Sequence, residues 1–421
     1  MTDNYLAKSE ELSACPVCES TKLLVLEPAS DVHAFLAAGN EFTFHIGLST
    51  CLTCGFIFVN ARAPQEEMSH YYSLQVRNPR SYENLDGPYS DLLDFQIRFI
   101  RKCWTAEGHQ RILDIGSAEG FFLKRLADEC KQSASLEGVE PGQAYSAAAR
   151  QLLPDAVIHE MILESADLPE DSFDLITIRH VLEHLLDPVS AVKLLRPLLK
   201  KSSGILHIEV PDVTEIPATI CPFLHHEHVN SFTPATLRFT LERAGFRILK
   251  HESADDNPIG SGFAYPVQRI LATPAEQEDW RAGISRDAGE DGKRLYNDYN
   301  RRYHQFLSGQ MEFVRRRVSE LMEEGKKIGV FGAGPHTFEM FRALDLNPSD
   351  FLLALDNNIH KQGKHIRGIE IRKPTQDVVA LLDAVLVSSA EFESLMVEEL
   401  IGLDIPDLEI MCLYTQNGSI D

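Results

Sequence analysis

The sequence predicts an α/β protein of several units: a parallel-sheet core, a cysteine-bearing module before it and a second, smaller α/β unit after it. Three observations predict this. Between about residues 110 and 255, apolar strand-like runs (RILDIG, SLEGVE, FDLITI, GILHIEV) alternate with amphipathic helical stretches, the rhythm of βαβ units around a parallel sheet. Two Cys-x-x-Cys pairs stand within the first 65 residues. After Gly325 a new alternation starts with KKIGVFGAGP and continues through FLLALDNN and DAVLVSS. A chain of 421 residues can hold several such cores, at about 100 to 200 residues per domain.

The expected divisions are residues 1–65, 66–273, 274–325 and 326–421. The third is polar and helical, with Phe306, Met311, Val314 and Val318 at mostly helical spacing, and reads as a connector. No apolar run approaches the roughly eighteen residues that a bilayer demands. The first fourteen residues lack the basic start and apolar stretch of a secretory signal, so the expectation is a reducing cytoplasm, where structural disulfides are rare. Acidic residues outnumber basic ones by 63 to 40, a net charge of -23. Such a chain repels phosphate polymers and has no clustered lysines and arginines to release their counterions. The expected partner is a small molecule, with neither nucleic acid nor membrane involved.

Cys15, Cys18, Cys51 and Cys54 form two knuckles separated by 32 residues. Two such knuckles supply four thiolates to one tetrahedral zinc ion. A closed four-thiolate site leaves no position for substrate water, so its expected role is structural. An iron-sulfur or redox centre is the rival reading.

In the core, Ile112–Leu123 runs from an apolar strand through a small-residue turn into a helix. Gly116 and Gly120 let the backbone approach a ligand, and Glu119 beside them favours a cation over a phosphate. The next strand, LEGVE, ends at Glu140, whose carboxylate can accept both hydroxyls of a ribose. Two ionisable clusters follow later strands: His180-Val-Leu-Glu183-His184 and His225-His226-Glu227-His228. Imidazole titrates near neutrality and a carboxylate beside it raises its basicity, so His228 with Glu227 is a candidate proton acceptor. His184 is a candidate donor to a developing oxyanion. A metal site is the competing reading, since imidazoles and a carboxylate are good ligands.

In the last unit, Gly332-Ala-Gly334-Pro-His-Thr337 follows the strand KKIGVF, and Asp356 closes the next strand 22 residues beyond Gly334. Thr337 stands where the dinucleotide fingerprint has a third glycine. Such a turn can cradle a diphosphate, can bind a dinucleotide, or can be an ordinary turn that binds nothing.

Through LDIGSAEG, GVEP and LPEDSFDLITIRHVLEHLLDP the core resembles the class I S-adenosylmethionine-dependent methyltransferases, with Ala118 where many members have a glycine. The resemblance implies a Rossmann-like core in which Asp114, Gly116 and Gly120 line the methionine side of the cofactor, Glu140 holds its ribose and Glu164 lies near its adenine. Over nearly its full length the chain also resembles the zinc-containing sugar C-methyltransferases that act on nucleotide-linked keto-deoxysugars. The pieces are CLTCGFIFVN, the core, HEHVNSFT, the Ile259–Gly262 turn, and FGAGP with LDNNIHKQGKHIRGIEI. That resemblance implies methyl transfer to carbon, with Glu227 and His228 removing the proton and His184 in support. It implies contacts to the sugar nucleotide from His225, where the family usually has tyrosine, from Tyr72 and Tyr82 in HYYSLQVRNPRSYENL, and from the turn at Gly332 and Gly334. The rivals are an O- or N-methyltransferase of a small metabolite and a non-catalytic binding scaffold.

Overall fold

The structure is a computed structural model, and it describes residues 4–35, 41–74, 88–131, 133–217, 225–255, 266–275, 288–390, 392–414 and 419–420. Tyr82 and the Ile259–Gly262 turn lie outside the described residues.

The first 62 residues contribute strands β1 (Asn4–Leu6), β2 (Glu10–Glu11), β3 (Leu23–Phe35), β4 (Glu41–Cys51), β5 (Ile57–Val59) and β6 (Ala61–Arg62). Strand β4 is the spine of a five-stranded sheet, flanked by β1, β3 and β5, while β2 and β6 form a separate ribbon. Aromatic residues Phe42 and Phe44 of β4 pack with Tyr71 of the following helix Gln65–Leu74 into this sheet's core.

The central sheet has seven strands. Five run in parallel: β7 (Gln110–Ile115), β8 (Ala134–Val139), β9 (Val157–His159), β10 (Leu175–Arg179) and β11 (Ile205–Pro211). The chain then leaves the sheet: β12 (Asn230–Ser231) pairs antiparallel with β5 of the first sheet. It returns as β13 (Phe246–Asp255) and β14 (Pro266–Pro274), giving the order β13-β14-β11-β10-β7-β8-β9, with β14 antiparallel to both neighbours. Strand order reverses beside β7, so the β7 and β10 loops open a crevice at the carboxyl edge, where ligands of open α/β sheets bind. Near-continuous apolar strands such as Ile112–Ile115 and Leu175–Ile178 are buried on both faces, as a parallel sheet covered by helices requires.

A helix from Ala288 to Phe306, a π-helical turn over Leu307–Met311 and a helix from Glu312 to Glu323 lead to the last unit. Its strands are β15 (Ile328–Phe331), β16 (Phe351–Leu355), β17 (His365–Ile366), β18 (Ile369–Arg372), β19 (Ala384–Val387), β20 (Glu409–Met411) and β21 (Ser419–Ile420). They lie in the order β17-β18-β16-β15-β19-β20-β21, parallel through the five central strands, so a second strand-order reversal falls at β15. Among the described residues no helix is long and apolar enough to cross a membrane.

Candidate active site

The turn after β7 is closed by one carboxylate. Glu140, one residue past β8, accepts the Ala118 N–H at 3.1 Å on one oxygen and the Gly142 N–H at 2.7 Å on the other. Gly116 and Gly120 hold φ of 71° and 82°, where L residues are strained, and a Cβ on Gly116 would meet the Val181 side chain at 2.3 Å. Ala118 adopts φ of 45°, the left-handed geometry of the glycine that many related turns carry. The turn therefore keeps its shape with an alanine inside it, at a steric cost.

Asp114 lies beneath the turn, almost fully buried. Thr177 Oγ1 donates to its Oδ1 at 2.5 Å, and Arg179 stands 3.9 Å from Oδ2. Burial pushes its carboxyl up, with Arg179 and the threonine hydroxyl opposing. Its Oδ2 has no hydrogen-bond partner among the described residues, nor has the buried Ser117 Oγ. Orphaned acceptors below a glycine turn are what a ligand bearing a positive charge can satisfy. Glu164 sits in the short 3₁₀ turn Leu163–Ser165 after β9, with its side chain exposed.

The contact between Gly116 and Val181 brings the second half of the site against the first. Val181 belongs to the loop after β10 that ends in the 3₁₀ turn Leu182–His184. His184 faces His228 at 4.8 Å between ring centroids, and His225 stands 5.1 Å from His228. His184 Nδ1 lies 3.0 Å from the Glu227 carbonyl, which can only accept, so Nδ1 carries the proton and Nε2 faces the cluster. Burial pushes His228 down to about 3, helped by the neighbouring imidazoles of His184 and His225 and opposed by Glu183 and Glu227. The ring is therefore neutral at physiological pH and less basic than a free imidazole, because burial outweighs the neighbouring carboxylates that the sequence suggested would raise it.

Sequence reasoning passed over the carboxylate at the centre of this cluster. Glu183 is 1% exposed, and neither carboxylate oxygen has a hydrogen-bond partner among the described residues. Its Oε1 stands 3.6 Å from His180 Nδ1 and 3.8 Å from His184 Nε2, and its ligand atom lies within 4.8 Å of those of His184 and His228. Burial pushes its carboxyl up, but the imidazoles of His180, His184 and His228 outweigh that and hold it below the usual range. His180, at φ of 51°, bridges Glu183 to the buried Glu209, 3.2 Å from its Nε2. Burial opposes charging of that ring, yet the two carboxylates raise it to about 10. Glu209 in turn is held by Arg269 and, at 2.5 Å, by the Gln96 amide. The signal for Glu183 was its place between two histidines, His180 three positions before it and His184 directly after it.

Other expected residues separate. His226 turns away, stacked on Phe44 at 4.6 Å with Nε2 3.0 Å from the Tyr71 hydroxyl, and acts as core packing. Tyr72 lies against Tyr71 at 5.4 Å. Glu227 supplies its backbone to the cluster, accepting from His184 and donating its N–H to His225 Nδ1 at 3.1 Å. Gly332 and Gly334 form the turn after β15, where Asp356 accepts the Ala333 N–H at 3.0 Å and holds the Lys361 ammonium at 3.0 Å.

The four cysteines converge. Cys15 and Cys54 sulfurs lie 3.7 Å apart, and Cys18 and Cys51 sulfurs 3.4 Å apart, all buried and free of disulfides. Zn–S bonds of about 2.3 Å set tetrahedral edges near 3.8 Å, so the set fits one ion. The Val17 and Thr53 N–H groups each point at the sulfur two residues back, at 3.4 Å, and would offset thiolate charge.

Residues 89–251 match the family described as a methyltransferase domain. Ubiquinone biosynthesis O-methyltransferases of Alkalilimnicola ehrlichii and Aeromonas salmonicida are 26% and 24% identical over 124 and 200 residues, or 28% and 43% of this chain. The chain covers 49% of the first and 82% of the second, and spans about half the length of several such relatives. A methyltransferase of Aquifex aeolicus known by crystal structure aligns over 47% of this chain and 98% of its own, at 17% identity and a TM-score of 0.37. The matched segment and its strand order make this region a class I methyltransferase domain.

Proposed function

We propose that the methyltransferase domain of residues 89–251 takes its methyl group from S-adenosylmethionine and places it on a carbon beside a carbonyl, in a nucleotide-linked keto-sugar or a related activated metabolite. One observation carries the reading: the Glu140-laced turn and the histidine cluster meet at one edge of the sheet, through Gly116 and Val181. Glu140 would hold the ribose, and Asp114 with the 116–120 turn would take the methionine end. When bound, the cofactor supplies an electrophilic methyl on a positively charged sulfur.

His228 would remove the proton beside the carbonyl, with Glu183 and Glu227 offsetting the burial that lowers its basicity, and the electron pair left behind makes that carbon the nucleophile. The Glu183 and Glu227 carboxylates would balance the imidazolium that results. A carbon acid is far weaker than imidazolium, so donors at the enolate oxygen are needed, each contributing about 3 kcal/mol. The Gly332–Gly334 turn would grip the nucleotide's phosphates, which suits a carboxylate already balanced by Lys361. The four thiolates would hold a structural zinc ion, and elemental analysis should find it at one equivalent. A second equivalent would assign Glu183, His184 and His228 to a metal instead.

A second reading is methylation of a hydroxyl, favoured by the O-methyltransferase names of the relatives. Such an acceptor needs the same proton removed. The test has two parts. Calorimetry with S-adenosylmethionine should give heat, and its absence would leave only a scaffold role. Acceptors identified by mass spectrometry of co-purifying ligands are then converted with a carbon-13 methyl donor. A carbon-bound methyl in the product spectrum supports the first reading, and a methoxy signal replaces it with the second.

A further inference from the structure

The catalytic histidines are mounted on the cysteine module, not on the methyltransferase sheet alone. Three residues after Cys54, strand β5 pairs with β12, with Phe58 opposite Asn230 and Ile57 opposite Ser231, and the Val59 N–H donates to the Val229 carbonyl at 2.9 Å. Strand β12 begins two residues beyond His228. The helix that follows, Pro234–Arg243, starts at a Thr233 capping box and ends in Arg243, which donates to the Val17 carbonyl and the Glu19 carboxylate of the first knuckle. Phe232 packs on Phe56 at 5.2 Å. The segment 229–243 is thus held by both knuckles.

Asn230 carries this hold across to the other histidine. Its buried side-chain amide donates to the carbonyls of Leu182 at 3.2 Å and Leu185 at 2.6 Å, the two that bracket Glu183 and His184. Arg62, at the end of β6, donates to the Leu186 carbonyl at 3.0 Å. By contrast, the cofactor turn at 116–120 is fastened by Glu140 and Val139, inside the central sheet.

We propose that Asn230 is a positioning residue which aligns His228 with Glu183 and His184, and that this alignment depends on a metal-loaded cysteine module. The acceptor half of the site then responds to loss of the metal, while the cofactor half does not. The roles of the histidines rest on the reading given above; the mechanical coupling does not.

The test is hydrogen exchange on the full chain under two independent perturbations: Asn230→Leu, which keeps side-chain size and removes both donors, and removal of metal by EDTA followed by elemental analysis. Metal removal should speed exchange about tenfold or more over 225–232 and 182–186, the loss of roughly 1.4 kcal/mol of local stability, and leave 112–120 unchanged. Asn230→Leu should do the same over 182–186 with the knuckles still protected. S-adenosylmethionine affinity should hold in both, and with an acceptor in hand Asn230→Leu should lower kcat without raising the cofactor KM. Unchanged exchange over 225–232 and 182–186 in the metal-free protein, or equal opening over 112–120, would overturn the proposal. So would a chain that yields no metal by elemental analysis before treatment. Absence of heat with S-adenosylmethionine in the untreated protein would defeat the methyltransferase reading and leave the exchange result to be judged by itself.

Discussion

The molecule contains the same carboxylate-laced turn twice, and among the described residues only one copy faces a cluster of histidines around a buried glutamate. After β7, Glu140 accepts the N–H of Ala118 and the N–H two residues past itself; after β15, Asp356 accepts Ala333 at 3.0 Å and Asn358, also two residues on, at 2.8 Å. Both carboxylates end the second strand of their sheet, and both turns sit where strand order reverses. What differs is the loop across from each. Gly116 meets the loop that leads to Glu183 and His184. Gly332 meets the Ser388 carbonyl, and the histidine beside it, His336, is held at 3.0 Å from the Ser388 hydroxyl and 2.5 Å from that of Tyr414. A glycine turn with an acidic strand end therefore closes a βαβ unit in both places, and what differs is the side chains that the neighbouring strand delivers.

The largest expected effect follows directly. His228→Ala should lower kcat by about 10² to 10⁴, the range for losing a general base, with cofactor affinity kept. His336→Ala should leave kcat where it was. Steady-state kinetics on both variants decide this, and an equal loss would show that the second turn takes part in the chemistry.

Next comes acid stability. His207 of β11 is buried between Phe99 and Phe122, at 5.9 and 6.4 Å, with no hydrogen-bond partner for either ring nitrogen among the described residues. Burial pushes it down to about 3, with Arg179 and Arg269 adding to the effect and Glu209 opposing it. The unfolded chain takes up this proton near pH 6.5 and the folded chain does not, so stability is full above pH 6.5 and falls as the pH drops toward 3. At pH 4.5 the loss from this one ring is about 3 kcal/mol. Urea denaturation of His207→Leu should show a pH slope between 6.5 and 4.5 that is shallower by about 1.4 kcal/mol per unit. An unaltered slope would mean that the ring is already charged in the fold. In the second unit His336, pushed by burial to about 4, adds to the same acid limb.

Glu140→Gln should weaken S-adenosylmethionine binding about tenfold to a hundredfold, the scale of a hydrogen bond to a charged group, whereas Asp356→Asn should leave it unchanged. Calorimetry on the two variants separates the turn proposed for the cofactor from its counterpart. If Asp356→Asn weakened binding as much, the functional distinction between the two turns would fail.

Which parts of this were legible follows from how local their signals are. The turns, the strand ends and the cysteine knuckles each occupy a dozen residues or fewer, and their residue types are dictated by backbone geometry or by ligand chemistry. Glu183 sits inside the HVLEH motif but its role was not legible, because burial of an acid depends on what the 225–228 loop packs against it. Asn230 was invisible for a similar reason: its partners lie 45 and 48 positions away, and β12 is only two residues long. The four neighbouring histidine-loop residues could not be sorted from sequence, since whether His226 faces the cluster or the Phe44 ring is set by a sheet from another part of the chain.

The finest prediction uses one substitution at both turns. Ala118 stands at φ of 45°, where a Cβ costs roughly 1 to 2 kcal/mol; its counterpart Ala333 is not among the residues with positive φ, which Gly332 takes instead at 114°. Replacing either alanine by glycine gives the unfolded chain more freedom, a penalty of about 0.4 to 1 kcal/mol. At Ala118 relief of strain exceeds that penalty, so Ala118→Gly should stabilise by some tenths of a kcal/mol; at Ala333 there is no strain to relieve, so Ala333→Gly should destabilise by a similar amount. Thermal denaturation of the pair reads the sign directly. Shifts of the same sign would mean that the alanine in the first turn is not strained, and that the two turns share their backbone as closely as they share their carboxylates.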